Sequence, residues 1–143
     1  MSERKHLTEE NSILEGNEQL TKAELSAKIA ASLAGREQLL KLLSMNTYDM
    51  ESNSRLDLLA SFKQAYGRSM QLICILLKKF CPDMNVTDIQ NFIYTFFPFM
   101  FGIYPYTAVT EKQRIAMRDA GIDYIYQTVY ELTYSCLIRL LGK

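Results

Sequence analysis

The chain has no tryptophan, one histidine, three prolines and three cysteines among its 143 residues, and each scarcity excludes something. His6 stands alone in a polar stretch, so no imidazole pair can hold zinc and no partnered imidazole base can drive catalysis. Three prolines and six glycines are too few turn formers for an all-β sandwich of short strands. Cys74, Cys81 and Cys136 are odd in number and build no framework of disulfide pairs, which points to a reducing, cytoplasmic setting. Sixteen basic and sixteen acidic residues cancel, so the basic excess of a polyphosphate-binding surface is missing. There is no CxxC, HExxH or GxSxG motif and no glycine-rich phosphate loop. Cys74 and Cys81 lie seven apart and could share a helix face, but no histidine is at hand to activate them, and they read as core thiols. Asp83 and Asp88 read as cap residues, and Lys78 with Lys79 as a solvated helix end whose charge complements the dipole. The expectation is a non-enzyme with no metal and no cofactor.

What remains is apolar. Hydrophobic residues make up 48% of the chain and charged residues 22%, a globular balance in a length suited to one domain. The distribution is uneven: thirteen of the thirty-two charges fall in the first forty-one residues, and none lies between Ile89 and Thr110. Eight of the sixteen aromatic residues crowd between Phe92 and Tyr106.

The first twenty residues are polar, lack the basic start and apolar run of a signal peptide, and read as a frayed helix end or tail. Residues 21–143 read as the folded domain. Thr21 with Glu24 forms a capping box that opens a helix ending at Gly35 as a left-handed cap, and a second helix runs from about Arg36 to Asp49. Ser54 with Asp57 starts the longest helix, Arg55 to Phe80, with Leu56, Leu59, Phe62, Tyr66, Met70, Ile73, Leu77 and Phe80 at three-and-four spacing. Pro82 forbids its continuation. Thr87 with Gln90 opens a helix through the aromatic block to Tyr104, Thr110 with Gln113 a short one stopped at Gly121, and Asp123 the last, Tyr124 to Leu141. No strand alternation and no repeat is visible. The fold class is all-α, a bundle of six or seven helices.

Three readings compete for Ile89 to Tyr104. A membrane span fits the uncharged length, but Gln90, Asn91, Pro98, Gly102 and Pro105 speak against it. A central core helix would be buried all round. A helix that also lines a cavity would use Pro98, which has no N–H for the carbonyl of Tyr94, beside Phe96, Phe99 and Met100. The last helix carries two apolar stripes, one of Ile125, Val129, Leu132 and Cys136, the other of Tyr126, Tyr130, Tyr134, Leu137 and Leu141. A monomer needs one such face, so the second predicts a homodimer; the alternative is that the aromatic and early helices cover both.

The segments REQLLKLLSMNTYDMESNS, LDLLASFKQAYG and FFPFMFGIYPY resemble the C-terminal, effector-binding and dimerisation part of the TetR (tetracycline-repressor-like) family of bacterial transcription regulators. The resemblance spans Thr21 to Leu141 and implies a bundle dimerising through its last two long helices. It implies an effector pocket lined by Tyr48, Phe62, Tyr66, Met70, Phe96, Phe99, Met100 and Tyr104. It implies a dimer interface of Ile89, Ile93 and Phe97 with Tyr126, Tyr130, Leu137 and Leu141. Nothing in the sequence matches the family's N-terminal helix-turn-helix, so operator DNA is expected to be reached only through a domain absent from this chain. Methionines and aromatics without a buried charge suit a hydrophobic or planar small-molecule effector. A different class of protein, a stand-alone helical interaction module without a ligand, would use the tyrosine-rich last helix to bind a partner.

Overall fold

The computed structural model describes residues 19–41, 43–44 and 56–142. All regular structure among them is helical: α1 (Lys22–Ala34), α2 (Leu56–Phe80), α3 (Val86–Gly102), α4 (Tyr104–Thr107), α5 (Glu111–Asp119) and α6 (Val129–Leu141), with further helical turns at 37–41 and 43–44. None of these helices is long and apolar enough to cross a membrane. The starts expected at Ser54 and the stretch through Asp49 lie outside the described residues.

Local chemistry sets the helix ends. At α1 the amide of Glu24 donates to Thr21 Oγ1 at 3.1 Å and the amide of Thr21 donates to the Glu24 carboxylate at 2.9 Å, the reciprocal pairing of a capping box. Gly35 does not take the left-handed conformation expected of it; at φ −82° it lets the chain run on into residues 37–41. The start of α3 is also two residues earlier than Thr87 suggested. Asn85 Oδ1 accepts from the amide of Asp88 at 2.8 Å, and the Asp88 carboxylate accepts from the amide of Asn85 at 3.0 Å, so Thr87 falls within the first turn. Thr110 caps α5 as expected, accepting from the amide of Gln113. Its end is a Schellman motif, in which Ile122 donates to Met117 and Gly121, at φ +74°, donates to Arg118.

The largest departure precedes α6. That helix begins at Val129, not Tyr124, because Thr128 and Glu131 form a better capping box than Asp123 offers. Residues 122–128 are non-helical, so Tyr126 and Ile125 belong to neither of the stripes drawn through them. The aromatic helix likewise ends at Gly102, and Pro105 sits in the first turn of α4 rather than terminating α3.

The core is a single cluster. Leu25, Ile29 and Leu33 of α1 meet Val129, Leu137 and Leu141 of α6, and Ile73, Leu76 and Leu77 of α2 meet Phe92, Ile93 and Phe96 of α3. Among the described residues the most extensive pairing is α1 with α6, and the small residues Ser26 and Ala30 of α1 are fully buried. Leu56, placed on the apolar stripe of α2, is 81% exposed, whereas among the described side chains of that helix Ala65, Leu72, Ile73, Leu76, Leu77 and Phe80 are buried.

Candidate functional site

Antiparallel neighbours α2 and α3 enclose a groove of about 320 Å³ lined by Met70, Cys74 and Lys78 from α2 and by Val86, Ile89, Gln90, Ile93 and Tyr94 from α3. The spacing explains it. Residues 70, 74 and 78 form one ridge of α2, and 86, 90 and 94 one ridge of α3; side chains four apart stack on one helix face. One turn before Met70, the ring of Tyr66 rests on Phe97 and Phe101 with centroids 5.3 Å and 5.6 Å away, so the helices close together at that end. Along its outer side Val86 and Tyr94, 79% and 66% exposed, leave the groove open.

The lining is chemically simple. Apolar and sulfur-bearing side chains form most of it, one ammonium (Lys78), one amide (Gln90) and one phenol (Tyr94) supply the polar points, and the volume lies at the lower end of small-molecule sites, roughly 300–1,000 Å³. Burial raises the Tyr66 phenol above its ordinary pKa, against the opposing charge of Lys63, so it stays protonated at neutral pH. Pro98 within α3 supplies no N–H for the carbonyl of Tyr94, one of the groove's own residues. Burial also lifts the Cys81 and Cys136 thiols, chiefly by desolvation, which keeps both in the unreactive protonated form.

The structure distributes the effector candidates over several settings. Met70 lines the groove, and Tyr66 stands at its closed end. Phe96 and Met100 are buried in the core, Phe96 with its ring 6.0 Å from and stacked on that of half-buried Phe99, and Tyr104 packs at the core's edge. Tyr48 and the side chain of Phe62 lie outside the described residues. Of the residues assigned to a dimer interface, Phe97, Leu137 and Leu141 are buried inside the chain, and Ile89 and Ile93 form the floor of the groove. Tyr130 is exposed, stacked on Tyr134 with centroids 6.0 Å apart, and Tyr126 is half-buried in the segment before α6. Sequence reasoning missed Cys74, Lys78, Val86, Gln90 and Tyr94 as lining. Their spacing of four was legible, but the mixture of polar and apolar types hid it.

A second, shallower concavity of about 420 Å³ lies along α5 and the non-helical segment after it, lined by charged residues including Glu111, Arg114, Arg118 and Asp123, with Met117, Tyr124 and Tyr126. There the guanidinium of Arg114 sits 4.3 Å from the centre of the Tyr126 ring, and Tyr124 meets Tyr126 edge-on at 4.8 Å.

The profile of a protein family described as "Tetracyclin repressor-like, C-terminal domain" matches residues 3–138. No curated protein and no solved structure matches the chain.

Proposed function

This chain belongs to the tetracyclin repressor-like C-terminal domain family, and from that membership we propose that it is a homodimeric, ligand-sensing module whose effector enters the groove between α2 and α3. The observation that carries the reading is the groove itself: about 320 Å³, apolar on both walls, with one cation, one amide and one phenol at its rim. An apolar or planar molecule would lay its body on Met70, Ile89 and Ile93 and turn any polar edge toward Gln90 or Lys78.

Sensing requires that the ligand bind two arrangements of the helices unequally. The groove is suited to that because its walls are different elements, joined only by the short connection between Phe80 and Val86. Spreading or closing α2 against α3 would be felt at α6, which shares the core with both. In a regulator, that motion would be read out by DNA-binding heads supplied outside these 143 residues.

The test fills the groove without touching the core. Gln90 is exposed and lines the groove, so Gln90→Trp should leave the helical signal intact. An anilinonaphthalene dye, a planar apolar probe, should raise the melting temperature of the native chain and lose most of that effect with Gln90→Trp. Equal stabilisation of both proteins would show that the dye binds elsewhere and would remove the groove as the effector site.

A further inference from the structure

Charge in the α2–α3 groove is unbalanced. Among the described residues that line it, Lys78 is the one ionised side chain, and no carboxylate faces it from either wall. The carboxylates nearest in the chain are engaged elsewhere: Asp83 accepts from the Lys22 ammonium at 2.7 Å, and Asp88 accepts from the amide of Asn85 at 3.0 Å. Lys78 makes no ion pair among the described residues. A cation at the end of α2 complements the helix dipole, but Lys79 shares that position and lies over the Phe80 ring, 5.0 Å from its centre, rather than in the groove.

The unmatched charge sits at one end of the groove. The helices join between Phe80 and Val86, so Lys78 and Val86 mark the connected end. Met70 and Tyr94 mark the other, where Tyr66 closes onto Phe97 and Phe101. Met70 and Lys78 are separated by about 12 Å along α2, at 1.5 Å per residue. Between them the floor is Ile89 and Ile93. The groove is therefore an apolar trough with a cation at one end and an aromatic stop at the other.

We propose that its ligand is a linear aliphatic monocarboxylate of about eight to ten carbons, the extended length that matches the trough. The carboxylate meets the Lys78 ammonium, and the alkyl chain runs over Ile89, Ile93 and Met70 toward Tyr66. One cation with no second donor of like charge selects a single anionic group over a phosphate or a dicarboxylate. The lack of an acidic side chain in the lining disfavours an amine. A methylene chain follows a trough between two ridges, and the Met70 thioether adapts to it. This rests on the groove being the effector site, as proposed above, and names the chemical class that site takes.

The probe is octanoate, titrated calorimetrically into the native chain below its micelle-forming concentration, with 1-octanol as the uncharged match. Lys78 is exposed, so Lys78→Gln should keep the native helical signal. It should weaken octanoate about tenfold or more and leave 1-octanol within about twofold. Lys79→Gln removes the same charge beside the groove and should leave both ligands within about twofold. Affinity should rise from hexanoate to decanoate and level off at dodecanoate. Absence of octanoate binding, equal losses for octanoate and 1-octanol, or equal losses in the two lysine variants overturns the carboxylate anchor. A steady rise through tetradecanoate overturns the fit to the closed end. These results are separate from the dye test. Dye stabilisation lost with Gln90→Trp, but octanoate indifferent to Lys78→Gln, rejects the carboxylate alone. Octanoate held by Lys78, with dye stabilisation insensitive to Gln90→Trp, rejects the planar-effector reading alone.

Discussion

Ser26 on α1 and Thr133 on α6 are fully buried, and their hydroxyls meet no hydrogen-bond partner among the described residues. A hydroxyl removed from water without a partner costs about 1–3 kcal/mol in proteins. Thr133→Val keeps the shape and removes that hydroxyl, so it should stabilise the chain by about 1 kcal/mol, read as a higher urea midpoint at unchanged slope; a lower midpoint would mean that Thr133 is bonded. Charge at the surface follows a different rule. Lys22 donates to Asp83 at 2.7 Å, which holds the Asp83 carboxyl below its ordinary value of 3.8 and the Lys22 ammonium above 10.5. A carboxyl with a lowered folded-state pKa stabilises above its unfolded value and loses that contribution as pH falls through the folded one. Stability should therefore drop on acidification below about pH 4, and Asp83→Asn should flatten that limb, an effect kept small by exposure and reduced further by salt. The pairing of residues 61 positions apart had no sequence signal, whereas the Thr21–Glu24 cap did, because a cap is encoded within four residues.

The helices show the same division between local and distant information. The caps at Thr21 and Thr110 and the stop at Gly121 were legible, since each depends on neighbours in the chain. The missed boundaries arose where two adequate caps competed: Asn85 with Thr87, and Thr128 with Asp123. The alternation of Tyr124 and Tyr126, whose rings meet edge to face in the non-helical segment before α6, was a signal hidden by its apolar surroundings. Within α2, Gly67 has an ordinary backbone conformation, and a Cβ built there meets nothing within 4 Å. Gly67→Ala should therefore stabilise by about 1 kcal/mol through reduced backbone freedom in the unfolded chain. A calorimetric melting temperature that falls instead would reveal a need for glycine that the packing does not show.

For the molecule as a whole, the absence of net charge took on a narrower meaning once the fold was in hand. Sixteen cations and sixteen anions are distributed away from the aromatic block: Lys78 is the one cation of the α2–α3 groove lining, while Glu111, Arg114, Arg118 and Asp123 gather at the second concavity. The all-α class was legible in the spacing of apolar residues and in the aromatic block. The groove was not, because it is made by two ridges from separate helices whose register only tertiary packing fixes. Five of the seven residues assigned to a dimer face, Ile89, Ile93, Phe97, Leu137 and Leu141, are buried within the chain, because periodicity identifies an apolar face but not what covers it. The measurement closest to the central claim is hydrogen exchange with and without the anilinonaphthalene dye. Binding in the groove predicts slowed exchange confined mainly to amides 70–78 of α2 and 86–94 of α3. Saturating dye that protects other segments, with those two unchanged, would contradict it.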